Sequence, residues 1–219
     1  MSRDERERRA LFDEIAAEAT ATERWTGLAA FNPPVMEAMA RVPRQEFVPP
    51  DEISYAWLNV PLPIGHRQTI SQPFIVALMT NLLQPKPDDI ILEVGTGSGY
   101  QAAVLSALVR KIYSVELEPE LARDAADRLK RLGYENVTVR AGDGAEGWPE
   151  YAPFDGIIVT AGAPDVPPAL IEQLRVGGRM VIPVNSGVAQ ELIVIRKTED
   201  GDIEKSDVLP VSFVPLRRF

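Results

Sequence analysis

The amino-acid sequence predicts an α/β fold: a doubly wound, mostly parallel sheet with antiparallel strands at its C-terminal edge and a helical and loop cap at the N-terminus. Three observations predict it. Short apolar runs alternate with helical patterns between residues 90 and 184, a glycine-rich loop follows the first of these runs, and two more strand-like runs follow Gly187. Alternating strands and helices are typical of a parallel sheet that helices cover on both faces.

The first 84 residues are predicted to form the cap. Leu11, Ile15 and Ala19 recur at four-residue intervals, which indicates a helix over residues 4–24 with one apolar face. The arginines and glutamates around them are expected to form its solvated surface.

The rest of the cap is predicted to be two helices joined by irregular chain. The helices are expected at 34–41 and 71–83, with Ser71 able to cap the second and Pro73 tolerated in its first turn. Between them, residues 42–65 are rich in proline, which fixes φ and lacks a backbone donor. We therefore expect ordered but irregular chain there rather than sheet.

Residues 85–219 are predicted to form the α/β core, so that the chain, 1–219, is one domain. The expected strands are 90–94, 111–116, 137–140, 156–161 and 179–184, and the expected helices are 100–109, 119–132 and 167–175. After Gly187, the runs at 191–197 and 207–216 predict a hairpin at the sheet edge.

Composition excludes several classes of protein. With 45% hydrophobic and 25% charged residues, the chain resembles ordinary soluble globular proteins. No apolar run is long enough to cross a bilayer, and the charged N-terminal residues do not resemble a secretory signal. Because there is no cysteine, disulfides and thiolate chemistry are impossible, and we expect a cytoplasmic protein with no membrane partner.

The net charge and the single histidine argue against two further features, a nucleic-acid partner and a metal site. A net charge of −9 disfavours binding to phosphate backbones, so no nucleic-acid partner is expected. His66 is the only histidine, which excludes a cluster of imidazole metal ligands, and no metal is expected.

The glycine-rich loop has the layout of a nucleotide-binding turn, with strand, loop and helix in succession. Gly95, Gly97 and Gly99 alternate with Thr96 and Ser98. The spacing is neither G-x-G-x-x-G nor that of a phosphate-binding P-loop. With Glu93 just before the loop, it suits a ligand that has a cationic amino-acid part and no phosphate.

Acids after the next two strands predict the rest of that ligand. Glu116 ends the second strand about 20 residues after Gly95, where a carboxylate can accept both ribose hydroxyls of an adenosine. Glu118 is the nearby alternative. Asp143, followed by Gly144, comes after the third strand and could accept from the adenine amine. Together these features predict S-adenosyl-L-methionine as the cofactor.

Several motifs resemble those of the protein-L-isoaspartate O-methyltransferase family, from about Val42 to the C-terminus. They are LPIGHRQTISQP at 62–73, LEVGTGSGYQAAVL at 92–105, GWPEYAPFDGIIVTAGAP at 147–164, LIEQLRVGGRMVIPV at 170–184 and FVPL at 213–216. The most diagnostic is TISQP ahead of this glycine loop. The resemblance implies a class I methyltransferase that repairs damaged proteins and peptides by methylating the α-carboxylate of L-isoaspartyl residues, leaving S-adenosyl-L-homocysteine.

The resemblance also implies site residues. The family's active-site serine falls on Ser71, which we expect to hold the acceptor carboxylate with Thr69 as a helper, and not to act as a nucleophile. Gln68, Thr69 and Ile70 match the segment over the cofactor and substrate, and 213–216 matches a strand near the substrate peptide. Here GHRQ departs from the family pattern; His66 is expected to be a loop residue.

Three other functions stay open at this point. They are a methyltransferase for RNA or a small molecule, a scaffold that binds the cofactor without catalysis, and an NAD-dependent dehydrogenase. The acidic charge and TISQP disfavour the first, the full set of expected site residues disfavours the second, and the glycine spacing disfavours the third.

Overall fold

The computed structural model describes residues 3–218, so positions 1, 2 and 219 of the predicted domain lie outside the described residues. In this part of the chain, no helix is both long and apolar enough to cross a membrane.

The described chain contains six α-helices and nine strands. The helices are α1 (Arg3–Thr26), α2 (Pro33–Arg41), α3 (Pro73–Leu83), α4 (Tyr100–Ser106), α5 (Pro119–Arg131) and α6 (Pro168–Gln173). The strands are β1 (Leu62–Gly65), β2 (Gln68–Ile70), β3 (Ile90–Val94), β4 (Lys111–Glu116), β5 (Val137–Ala141), β6 (Phe154–Val159), β7 (Leu174–Ser186), β8 (Ala189–Lys197) and β9 (Ile203–Val211).

Seven strands form one sheet in the order β5-β4-β3-β6-β7-β8-β9. The first five are parallel, and β8 and β9 continue the sheet as antiparallel strands. The chain runs outward from β3 through β4 to β5 and then returns to β6 on the other side of β3. This reversal is the topological switch point, where doubly wound sheets bind ligands. The predicted fold, including its antiparallel edge, is confirmed.

The apolar face of α1 joins the main core. Leu11, Ile15 and Ala19 are each at most 2% exposed, as their spacing predicted, and α1 packs on α3. Because α3 in turn packs on β6 and β7, and α1 itself contacts the edge strand β9, the N-terminal helix is attached to the sheet both through α3 and at the sheet edge.

Two details of the cap prediction are wrong. The end of the proline-rich stretch is not irregular, since β1 pairs with β2 in a two-stranded antiparallel hairpin. Ser71 is not the N-cap of α3; Gln72 occupies that position, without a side-chain capping hydrogen bond, and Pro73 begins the helix. The hydroxyl of Ser71 is therefore not committed to the helix.

Candidate active site

A crevice of about 750 Å³ lies at the switch point of the sheet. Most of the predicted site residues line it: Gln68, Thr69, Ile70, Ser71, Gly95, Thr96, Gly97, Ser98, Glu116 and Gly144. The other three, Glu93, Gly99 and Asp143, do not. The β1–β2 hairpin and the loop after β3 thus face each other across one space, as the resemblance implied.

The glycine loop is shaped by contact with the end of β6. Gly95 has φ +93, and a Cβ there would lie 2.5 Å from the hydroxyl of Thr160. That hydroxyl donates to the carbonyl of Gly95 at 2.6 Å. A side chain at position 95 would therefore break the contact that fixes the loop against the neighbouring strand. Thr160 lines the crevice too, and it was not among the predicted site residues.

Glu116 joins the loop to the end of β4. Its Oε2 accepts the N–H of Gly97 at 2.8 Å, and its Oε1 accepts the N–H of Glu118 at 3.0 Å. Although the residue is only 6% exposed, it lines the crevice. Two backbone donors thus hold the carboxylate in place at the position predicted for the ribose acceptor.

Glu93 lies behind the glycine loop and not in the lining of the crevice. It is fully buried, and the hydroxyl of Ser114 donates to its carboxylate in a short hydrogen bond. The same hydroxyl lies 2.5 Å from that of Thr96 in the loop. Burial, reinforced by the charge of Glu116, raises the pKa of Glu93 to about 8, although the bond from Ser114 lowers it.

The other two residues outside the lining have structural partners. Asp143 caps a short 3-10 helix by accepting the N–H of Ala145 at 2.9 Å. Gly99 precedes α4 with φ +88, and a Cβ there would crowd Leu129 at 3.2 Å. The contact between Asp143 and adenine stays a prediction.

A second cavity, a groove of about 1100 Å³, opens beside the crevice. The two share Thr69, Ser71, Thr160 and Val214. Among the described residues, no hydrogen bond engages the hydroxyl of Ser71, which stands at this junction.

Arg44 supports the loop that carries Ser71, and it was not predicted from the sequence. Its guanidinium is fully buried and donates to the carbonyls of Ala56, Val60 and Ser71 at 2.6, 2.9 and 3.1 Å. Within the described chain no carboxylate pairs with it. Burial lowers its pKa to about 10, so it remains charged at neutral pH. Its sequence context, a proline-rich loop, gave no signal of this role.

The segment after β9 borders both cavities. The N–H of Gly162 donates to the carbonyl of Val214 at 2.8 Å, and the N–H of Leu216 donates to the carbonyl of Gly162 at 2.7 Å. Arg217 then pairs with Glu118 at 2.5 Å. Residues 214–217 line the crevice, whereas 209–214 line the groove. The segment 213–216, which resembles the family's strand near the substrate peptide, therefore lines both cavities.

His66 and Arg67 form the turn between β1 and β2. Both lie in the left-handed region, with φ 51 and 59, as a two-residue hairpin turn requires. The imidazole Nε2 of His66 lies 3.6 Å from Glu120. Neither turn residue lines the crevice or the groove.

Comparison with known sequences identifies the protein family of this chain. The sequence profile of the protein-L-isoaspartate(D-aspartate) O-methyltransferase family matches residues 20–218. The chain belongs to this family. Protein-L-isoaspartate O-methyltransferase 2 of Nitrosococcus oceani is 58% identical over 202 residues, covering 92% of both chains. The namesake from Syntrophobacter fumaroxidans is 56% identical and covers 93% of this chain and 83% of its own. Membership confirms the predicted enzyme, an S-adenosyl-L-methionine-dependent O-methyltransferase.

Comparison with solved structures gives the same fold. A structure named protein-L-isoaspartate O-methyltransferase is 28% identical and matches with a TM-score of 0.82, covering 95% of this chain and 65% of that longer one. A Plasmodium falciparum protein in complex with S-adenosyl-L-homocysteine matches with a TM-score of 0.79 at 23% identity, over 96% of this chain and 98% of its own. The second likeness supports the fold.

Proposed function

We propose that this enzyme repairs damaged proteins by methylating the α-carboxylate of L-isoaspartyl residues, with the cofactor at the glycine loop and the acceptor at Ser71. One observation carries the assignment of the two sites: the glycine loop, Glu116 and Ser71 line a single crevice. The isoaspartyl substrate class follows from the family.

The residues of the crevice fit S-adenosyl-L-methionine. A carboxylate, Glu116, and the hydroxyls of Thr96 and Ser98 line it. The one described cation in the lining, Arg217, is already paired with Glu118. Such a lining suits a cationic ligand that has hydroxyls and no phosphate. When bound, the cofactor supplies a methyl group activated by a sulfonium.

On the other side of the crevice, Ser71 holds the acceptor. Its free hydroxyl donates a hydrogen bond to one oxygen of the substrate carboxylate and leaves the other oxygen to react. Thr69, on β2, lines the same junction and assists. A carboxylate with a pKa near ~4 is already ionised at neutral pH, so the site needs no general base.

Catalysis in this proposal is mainly alignment. The protein holds the acceptor oxygen opposite the bound cofactor and limits access of water, and such positioning supplies roughly 7–11 kcal/mol. This explains why a site with no cysteine and no histidine in its lining is sufficient for the reaction.

A transfer assay tests the assignment. The enzyme is incubated with methyl-labelled cofactor and an isoaspartyl peptide, the matching aspartyl peptide, or bulk RNA. We expect a base-labile label on the isoaspartyl peptide alone. Label on RNA would favour a nucleic-acid methyltransferase, and cofactor binding without any transfer would indicate a scaffold.

Ser71→Ala tests the acceptor site. Hydrogen bonds to charged groups contribute about 1.5–3 kcal/mol, so we expect turnover to fall roughly 10- to 100-fold. The dissociation constant of the cofactor should stay within about twofold, measured by titration calorimetry. An equal loss in turnover and cofactor affinity would remove Ser71 from its assigned role.

The cytoplasmic location is also part of this proposal. The cysteine-free composition supports it, and fractionation of the source cells, followed by detection with an antibody, would test it.

A further inference from the structure

The groove beside Ser71 has one wall from the sheet edge and one from the N-terminal helix. Residues 209–214 form the first wall, and Glu18 and Thr22 of α1 contribute to the second. Because the groove meets the crevice at Ser71, a peptide whose isoaspartyl carboxylate reaches Ser71 has its flanking residues in the groove.

Glu18 carries the only ionisable side chain among the described residues that line this groove. Its Oε2 accepts from the amides of Asn59 and Gln72 at 2.7 and 3.1 Å. Both partners are neutral, and no salt bridge in the described chain involves Glu18. Two amide donors therefore fix a half-buried negative charge that no cation among residues 3–218 pairs with.

The carboxylate is also close to the reacting position. Gln72, which donates to it, directly follows Ser71 in the chain. The side chain of Gln72 thus connects Glu18 to the backbone next to Ser71, the residue that holds the acceptor in our proposal. An extended peptide advances roughly 3.3–3.6 Å per residue, so side chains within three positions of the isoaspartate come near Glu18.

We propose that Glu18 selects substrates: the groove favours isoaspartyl peptides that carry Lys or Arg within three residues of the damaged position, and disfavours Asp or Glu there. This inference rests on the proposed function and adds a sequence preference to it. Glu18 precedes the segment 20–218 that matches the family profile, so family membership does not already give the preference.

The test is a charge scan of the substrate. The parent is an isoaspartyl heptapeptide with blocked ends and otherwise neutral residues, and single Lys, Gln or Glu residues are placed at each of its six other positions. Partly exposed ion pairs change an equilibrium by up to about fivefold. We expect kcat/KM for Lys to exceed that for Gln about threefold at one or more positions, with Glu below Gln there.

Glu18→Gln should abolish that preference, measured as the ratio of kcat/KM for the Lys and Gln peptides within the variant, because the amide oxygen still accepts from Asn59 and Gln72 but carries no charge. Glu14→Gln is the matched control. Glu14 lies one turn earlier on α1, is exposed and does not line the groove, so the preference should persist in that variant.

Salt provides a measurement that needs no variant. Raising ionic strength from about 0.05 to 0.5 M shortens the screening length severalfold, so the Lys preference of the unaltered enzyme should shrink. Equal rates for Lys, Gln and Glu peptides at every position would overturn the inference, as would a Lys preference that survives Glu18→Gln. Failure of the neutral parent to be methylated would instead count against the proposed function.

Discussion

The two sides of the active site are held in place by different means. On the proposed cofactor side, the glycine loop, Glu116 and Thr160 lie at the ends of neighbouring parallel strands. The sheet hydrogen bonds fix the strand ends, and the side chains of Thr160 and Glu116 join the glycine loop to them. On the proposed acceptor side, Ser71 belongs to a loop that depends on side-chain hydrogen bonds to the backbone, above all those of Arg44.

Because the two sides are held differently, substitutions should separate cofactor binding from acceptor binding. A backbone carbonyl in a sheet has its partner in the adjacent strand, so losing one side chain leaves it satisfied. The carbonyls of Ala56, Val60 and Ser71 share one buried guanidinium instead. Removing that group leaves all three in need of new donors.

The largest effect is expected for Glu116→Ala. The variant loses the carboxylate that accepts from the cofactor's ribose in our proposal, together with the contact to Gly97. Since hydrogen bonds to a charged group contribute about 1.5–3 kcal/mol each, cofactor affinity should fall about 100-fold by titration calorimetry. The KM for peptide at saturating cofactor should change little.

Glu118→Ala is the control for this prediction. Glu118 was the alternative ribose acceptor in the sequence, but it does not line the crevice and pairs with Arg217 instead. Its removal should weaken cofactor binding far less. A larger loss in Glu118→Ala than in Glu116→Ala would exchange the two assignments.

Arg44→Lys should give the next largest effect, on the acceptor side. An ammonium keeps the charge but is too compact to reach all of the carbonyls that the guanidinium fork joins. We expect kcat/KM for an isoaspartyl peptide to fall about tenfold, while the cofactor dissociation constant changes less than twofold.

Arg128→Lys is the matched variant on the cofactor side. Arg128 donates to the carbonyl of Ser98 in the glycine loop at 2.9 Å. This change should weaken cofactor binding and spare the KM for peptide. Both variants are compared well below their melting temperatures. If each variant weakened cofactor binding and peptide binding equally, the two sides would not be independent.

The same difference explains which features the sequence could predict. The core strands follow from apolar runs, and Glu116 and the glycine loop follow from their places at strand ends, so local pattern was sufficient. Ser71 and Thr69 came from family resemblance alone, because nothing in the local pattern distinguishes a catalytic serine from a helix cap.

The features that were missed depend on contacts between distant segments. Arg44 bonds to carbonyls 12 to 27 positions further along the chain, and no periodicity records such a contact. The β1–β2 hairpin was missed because its turn is His66-Arg67 and not the Asn-Gly or Asp-Gly pair that usually marks a two-residue turn. Thr160 was read as part of a strand, with no sign that it would fix Gly95.

The pH dependence of stability at Glu93 tests whether the cofactor side also depends on a buried side chain. Burial raises its pKa to about 8, so between about pH 4.5 and 8 the folded protein keeps a proton that the unfolded chain releases. The free energy of unfolding should therefore fall as pH rises through this window, by up to roughly 1 kcal/mol per pH unit, and level off above it.

Glu93→Gln imitates the protonated carboxyl and should remove this contribution. The difference in unfolding free energy between variant and parent, measured by urea denaturation from pH 5 to 9, should move in the variant's favour up to about pH 8. Because the amide oxygen of the variant still accepts from Ser114, cofactor affinity at pH 6 should change only a fewfold. A constant difference across the range would mean that Glu93 is ionised in the folded protein, and that the glycine loop rests on a buried charge.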